Sequence, residues 1–240
     1  MRHMKDIGYN SQLNTPVELT ILMPCLNEAK TLKFCINEAK TFMEEYEVVG
    51  EILIADNGSS DGSVDIAKDA GARVVTETRQ GYGMALIAGI QAAKGTYIIM
   101  GDCDKSYDFY HIKEFLDKLR EGNDLVVGDR FSGNIEKGAM PFIHRLGVPF
   151  LSWLGRCKYK TKIRDFHCGL RGFNREKALE LNLRCQGMEF ATEIIGQFAK
   201  SNARICQVPI NLRRDGRAGK SHLHTFRDGM RHLIYILFKS

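Results

Sequence analysis

Apolar residues fall into two rhythms along the first half of this chain. Short apolar runs at residues 19–23, 51–55, 72–76, 97–100 and 125–127 have the length and aliphatic content of buried strands. Between them the apolar positions recur at helical spacing, as in Leu32, Cys35, Ile36, Ala39, Phe42 and Met43 within a helix expected over 28–46. Further helices are expected over 63–70, 83–93 and 109–120, and Pro24 is expected to stop the first strand. Strand alternating with helix at this pitch predicts an α/β fold, with a mostly parallel sheet covered by helices on both faces.

The second half has a weaker rhythm. Helices are expected over 175–181 and 189–199, a strand over 203–209, and a basic, glycine-containing loop over 213–221. The uncharged stretch 146–155 lies between Arg145 and Arg156 and holds the only tryptophan, Trp153. It reads either as a buried core helix or as a segment at a membrane interface, and it is too short to span a bilayer. A final helix over 225–240 turns apolar at 233–238. The expected organisation is one domain: a donor half over 17–128, an acceptor half over 129–224 and the terminal helix.

Polar clusters sit at the carboxyl ends of the expected strands, where parallel sheets place their ligands. Asp102 and Asp104 follow one strand directly, and two carboxylates two residues apart can converge on a hard cation and a diphosphate. Asp56 opens a dense turn cluster, D-N-G-S-S-D-G, that also caps the following helix. Gly81 and Gly83 open a helix, where backbone N–H groups can approach a phosphate. The chain has neither G-x-G-x-x-G nor G-x-x-x-x-G-K-[ST], which disfavours dinucleotide-dependent dehydrogenases and P-loop enzymes.

Composition adds little. With 240 residues, 44% hydrophobic and 26% charged, the chain is ordinary for a globular protein. Its formal charge of +5 suits an anionic partner. Seven scattered cysteines without a C-x-x-C pair indicate neither a disulfide framework nor a zinc site, so a reducing, cytoplasmic setting is expected. Residues 1–15 lack the apolar core of a signal peptide.

The ordered segments ILMPCLNEAKTL, EILIADNGSSDGS, RQGYGMAL, IIMGDCDKSYDF, GDRFSG, DFHCGLRGF, GMEFATEI and VPINLRRDGRAGKSHL resemble the family-2 inverting glycosyltransferases of the GT-A fold. They look most like the dolichyl- or polyprenyl-phosphate mannosyl and glucosyl synthases, over about residues 20–231. The resemblance implies that Pro24, Asn27, Glu28, Asp56, Gly81 and Asp102 line the nucleotide, and that Asp102 and Asp104 hold Mg²⁺ or Mn²⁺. Arg130 and Arg145 would grip the acceptor's phosphate, with Asp165 and Glu193 beside the reaction centre. Arg213, Arg214, Arg217, Lys220 and Ser221 would belong to a loop that closes on the diphosphate. Where mannosyl synthases carry a polar residue and Pro-Pro after the metal pair, this chain has Lys105, Ser106, Tyr107 and Asp108, leaving Asp108, Ser106 or water as the third ligand.

The expected partners are a nucleotide-sugar donor (GDP-mannose or a UDP-sugar) and a lipid-phosphate acceptor at a membrane surface, with no nucleic acid. Relatives often continue into transmembrane helices where this chain ends, so a soluble variant or a trimmed chain is expected. A phosphate acceptor is already nucleophilic; a hydroxyl acceptor would need a base, for which Asp165, Glu189 or Glu193 could serve. The alternatives are a hydroxyl-directed glycosyltransferase and a catalytically inactive nucleotide-sugar-binding protein. A nucleotidyltransferase would want a Gly- and Arg/Lys-rich loop after the first strand, where Pro24–Glu28 stands.

Overall fold

The computed structural model describes residues 16–217 and 225–239. Its centre is a seven-stranded sheet in the order β3-β2-β1-β4-β6-β5-β7. The strands are β1 (Leu19–Cys25), β2 (Gly50–Asp56), β3 (Arg73–Thr76), β4 (Tyr97–Met100), β5 (Leu125–Asp129), β6 (Arg171–Asn174) and β7 (Ile205–Pro209). Only β6 runs antiparallel, between β4 and β5. The helices are α1 (Leu32–Glu45), α2 (Ser63–Asp69), α3 (Tyr82–Ala92), α4 (Lys113–Arg120), α5 (Phe142–Tyr159), α6 (Arg175–Glu180), α7 (Phe190–Lys200) and α8 (Thr225–Ile234). A wide π-type turn, Tyr235–Lys239, extends α8.

Several expectations change in detail. The first strand runs through Pro24 to Cys25, because its pairing with β4 ends at Leu22 and Met100 while pairing with β2 continues to Cys25 and Asp56. Past Leu22 no β4 neighbour asks for the N–H that proline lacks. The first helix begins at Leu32, since the turn before it is pinned when the Glu28 N–H donates to Ser63 Oγ at 2.9 Å. The helix expected from residue 109 opens instead as a 3₁₀ turn, Phe109–His111, whose Tyr110 N–H is capped by Asp108.

β6 was not expected from the sequence. Arg171, Gly172, Phe173 and Asn174 carry no alternation, yet Arg171 is fully buried and donates to the carbonyls of Cys168, Ala191 and Phe166 at 2.7–2.8 Å. A guanidinium that saturates three carbonyls can be buried, and it ties the 166–168 segment to the sheet.

The uncharged stretch 146–155 lies within α5 but is not a buried core helix. Ser152, Gly155 and Tyr159 form its inner stripe. Phe142, Ile143, Leu146, Phe150 and Trp153 are exposed, Phe142 to 75%. The α8 segment repeats this arrangement, with Asp228 and His232 buried while Phe226, Met230 and Phe238 are exposed. Exposed aromatic and aliphatic side chains on this scale mark an interaction surface. No helix among the described residues is long and apolar enough to cross a membrane.

Candidate active site

The chain reverses direction at the centre of the sheet: β2 and β3 lie on one side of β1, and β4 on the other. The loops after β1 and β4 therefore flank a crevice at the strands' carboxyl ends. Pro24–Glu28 forms one rim and Gly101–Asp104 the other. They are joined where Cys103, buried between the two aspartates, donates its S–H to the Pro24 carbonyl at 3.2 Å.

On the first rim Asn27 has φ of 57° and its side chain accepts from Ser60 N–H at 2.8 Å. Asp56 is buried and accepts from Gly58 and Ser59 N–H, making a rigid turn from the end of β2. Asn57, which sequence reasoning passed over, donates to the Glu77 and Arg79 carbonyls and accepts from Gly81 N–H at 2.8 Å. One amide thus fastens three loops.

The glycines that open α3 are not a free anion cradle. Gly81 N–H is spent on Asn57, and Gly83 N–H donates to the Gln186 carbonyl at 2.9 Å. Their close approach is to backbone: a Cβ on Gly81 would stand 2.2 Å from the Gln186 oxygen. Their function here is to dock α3 on the 185–186 segment.

Asp102 and Asp104 lie together after β4, as expected. Asp104 accepts from Ser106 N–H at 2.9 Å and from Ser106 Oγ at 2.5 Å, which aims its carboxylate. Burial and then the neighbouring Asp104 raise the Asp102 pKa to about 6, although Arg217 pulls it down. Gly169 lies so near Asp102 that a Cβ there would meet Oδ2 at 2.8 Å. Of the expected third ligands, Ser106 is spent on Asp104, and Asp108 pairs with His111 and Arg213. Among the described residues no cluster of three or more His, Cys, Asp or Glu side chains could hold a metal. Two carboxylates are what the chain offers, and Mg²⁺ commonly takes its remaining ligands from phosphate and water.

A cation already occupies this acidic crevice. Arg217 Nε donates to Glu28 Oε1 at 2.6 Å, and its Nη2 lies 3.0 Å from Asp104 Oδ2. Asp215 holds the third nitrogen at 3.0 Å. The loop is laid down by Gly216 N–H donating to the Asp104 carbonyl at 2.8 Å and by Arg213, which pairs with Glu38 and Asp108. Burial raises the Glu28 pKa, against the opposing pull of Arg217. Glu28, Asp104 and Asp215 thus share one positive charge. Arg214 instead faces Glu136 and the Lys137 carbonyl, away from the pair. Lys220 and Ser221 lie outside the described residues.

At the carboxyl end of β5, which runs parallel to β4, Arg130 and Asp165 form a buried bidentate pair, Nε to Oδ2 at 2.7 Å and Nη2 to Oδ1 at 2.8 Å. Asp165 also accepts from the backbone N–H groups of Arg130 and His167. Burial opposes the Arg130 charge, but the Asp165 carboxylate more than compensates, and the Arg130 pKa rises. Arg130 lines a cleft of about 330 Å³ between α5 and α8, together with His144, His167, Ile143, Phe226 and Leu233.

Two expected residues are not in this cleft. Arg145 is exposed on α5 and is absent from the cleft lining. Glu193 is buried in α7, where it accepts from Arg184 and Cys185 N–H at 2.9 Å and lines a separate polar cavity with Arg231. Glu189 in the same cavity is paired with Arg231 at 2.8 Å. His167 lies on the lining of the cleft. Only the fold shows it beside Arg130.

Comparison with known proteins gives the family and the fold. A hexosyltransferase of low-salt glycan biosynthesis from Haloferax volcanii is 34% identical over 91% of this chain, which spans 53% of that relative, about half its length. A dolichyl-phosphate hexose transferase of the same organism is 32% identical over 75% of this chain and 76% of its own length. Among solved structures, glucosyl-3-phosphoglycerate synthase of Mycobacterium tuberculosis with Mn²⁺, UDP and phosphoglyceric acid superposes with a TM-score of 0.71. It is 20% identical, over 91% of this chain and 78% of that one. The same enzyme with Mg²⁺ and UDP gives 0.72. These structures share the GT-A fold with this chain. A family model described as glycosyl transferase family 2 matches residues 20–181, and the chain belongs to that family.

Proposed function

We propose that this glycosyltransferase moves a hexose from a nucleotide sugar to the phosphate of a polyprenyl or dolichyl lipid, with inversion, using Mg²⁺ or Mn²⁺ held by Asp102 and Asp104. The observation that carries the acceptor half is the lack of a free base among the three candidates. Asp165 spends both oxygens on Arg130, Glu189 is paired with Arg231, and Glu193 holds two backbone N–H groups. A hydroxyl nucleophile needs a base within reach. A phosphate monoester, with a second pKa near about 6, is already largely dianionic at neutral pH.

The remaining features fit this acceptor. Arg130 places a fixed cation on an apolar cleft between α5 and α8, suited to a headgroup with a hydrocarbon tail. The exposed aromatic faces of α5 and α8 border that cleft and suit a membrane surface. A relative named for dolichyl phosphate matches three quarters of the chain. On the donor side, Pro24, Asn27, Glu28, Asp56 and Asp102 rim the crevice for the nucleotide. A bound cation would neutralise charge on the departing diphosphate. Arg217 would yield its place to that cation and turn to the diphosphate. The protein's own contribution is positioning and charge complementarity rather than proton abstraction.

The test is a panel of nucleotide sugars incubated with a short-chain prenyl phosphate and Mn²⁺ or Mg²⁺. A lipid-linked sugar from one donor is expected. Transfer to a free sugar with no lipid product from any donor would refute the reading.

A further inference from the structure

His167 is the least satisfied polar side chain in the acceptor half. Both of its ring nitrogens are buried, and neither has a hydrogen-bond partner. Its neighbours do not supply one. The ring lies edge-on to His232 at 4.4 Å between centroids, and His232 Nδ1 is taken by Thr192 Oγ1 at 2.8 Å. The Asp165 carboxylate, two residues back, receives the His167 backbone N–H, and its oxygens are engaged by Arg130. Leaving a buried donor unpaired costs stability, and native structures rarely tolerate it without a compensating use.

The surroundings indicate what would pair it. His167 lines the cleft between α5 and α8 alongside Arg130, His144 and His232. Asp228, the carboxylate on that lining, lies 3.6 Å from Arg227. Burial, then His232 and Arg130, hold the His167 pKa well below the ordinary histidine value, so at neutral pH the ring is uncharged and offers one N–H. A neutral N–H beside a fixed guanidinium suits an anion with several acceptor oxygens.

We infer that His167 is an acceptor-binding residue, whose ring N–H donates to an oxygen of the same phosphate that Arg130 attracts. The inference rests on the lipid-phosphate reading above. It adds a discriminating element: an acceptor without that oxygen leaves the imidazole unpaired, a penalty by which a polar site rejects the wrong ligand.

The experiment compares wild type with His167→Leu and His167→Gln, using whichever nucleotide sugar the panel shows to be the donor and geranyl phosphate as acceptor. Loss of one hydrogen bond to a charged group corresponds to roughly a 10- to 100-fold weakening. In His167→Leu the acceptor KM should rise about that much, with kcat and donor KM within about twofold. Its thermal midpoint should be unchanged or higher, because an unpaired buried polar group is gone. His167→Gln, which restores a donor, should recover most of the acceptor KM. In the wild-type protein, the His167 ring ¹⁵N resonances should move on addition of geranyl phosphate and stay put on addition of a nucleoside diphosphate. An unmoved ring signal overturns the inference whether or not the variants fold. So does an acceptor KM in His167→Leu within about twofold of an active wild type, or a glutamine variant no better than leucine. Wild type that makes no lipid-linked sugar from any donor removes the acceptor reading itself, and this inference with it.

Discussion

Replacing Asp165 by asparagine tests whether the Arg130–Asp165 pair holds the acceptor half together. In the native protein Asp165 is fully buried and receives four donors: Arg130 Nε at 2.7 Å, Arg130 Nη2 at 2.8 Å, and the backbone N–H groups of Arg130 and His167 at 3.3 and 3.2 Å. An amide can offer one oxygen to this set. Its NH₂ would then face a guanidinium that is only 11% exposed. Removing one partner of a buried pair leaves the other charge uncompensated, at about 3–5 kcal/mol. For a chain of this size each kcal/mol lowers the melting temperature by roughly 2–4 °C, so Asp165→Asn should melt roughly 6–20 °C below wild type. The assay is a thermal melt by circular dichroism at neutral pH. A companion double variant, Arg130→Met with Asp165→Leu, should regain part of the loss, because apolar residues of similar volume can replace a buried pair with little penalty. A shift under about 2 °C for Asp165→Asn would show that the pair contributes little, and the positioning argument for Arg130 would fall.

Arg217→Gln should tighten Mn²⁺ binding in the absence of nucleotide, by severalfold in a titration followed by electron paramagnetic resonance, because the guanidinium that competes for Asp104 and Glu28 is gone. Weaker or unchanged Mn²⁺ affinity would contradict the stand-in reading. His232 is held at about 4, by burial first and then by Arg171, against an ordinary value of 6.5. Its neutral form is thus favoured by the fold: that stability is present above pH 6.5 and lost as pH falls toward 4. The loss is on the order of 3 kcal/mol, and His232→Gln should flatten the decline in urea midpoint across this window. Replacing Phe142, Phe226 and Phe238 together by serine should weaken co-sedimentation with anionic vesicles several-fold while leaving the melting temperature within about 2 °C, since these side chains are 75–82% exposed. Equal vesicle binding by the triple variant would remove the membrane-facing role of α5 and α8.

The sequence by itself was sufficient for the donor half. Strands β1 to β5 and the helices between them follow from apolar rhythm and turn residues, both local properties, and each strand end carried its polar cluster in the open. Asp102 and Asp104 could be read as a pair because two residues of chain separate them. The acceptor half depended on contacts the chain order conceals. β6 is invisible in the sequence because Arg171 is buried by three carbonyls contributed from positions 166, 168 and 191, not by any pattern of its own. That Asp165, Glu189 and Glu193 are all engaged follows from partners supplied by the fold. So does the exposure of the outer face of α5: period 3.6 shows which residues share a face, but only packing decides which face is covered. Arg217 lies 189 residues from Glu28 along the chain and 2.6 Å away in space. Local spacing could place Asp102 and Asp104 side by side; that an arginine from the distant loop already pairs with Asp104 and Glu28 was decided by tertiary structure alone, because clustered carboxylates in a desolvated crevice need a counter-charge from somewhere.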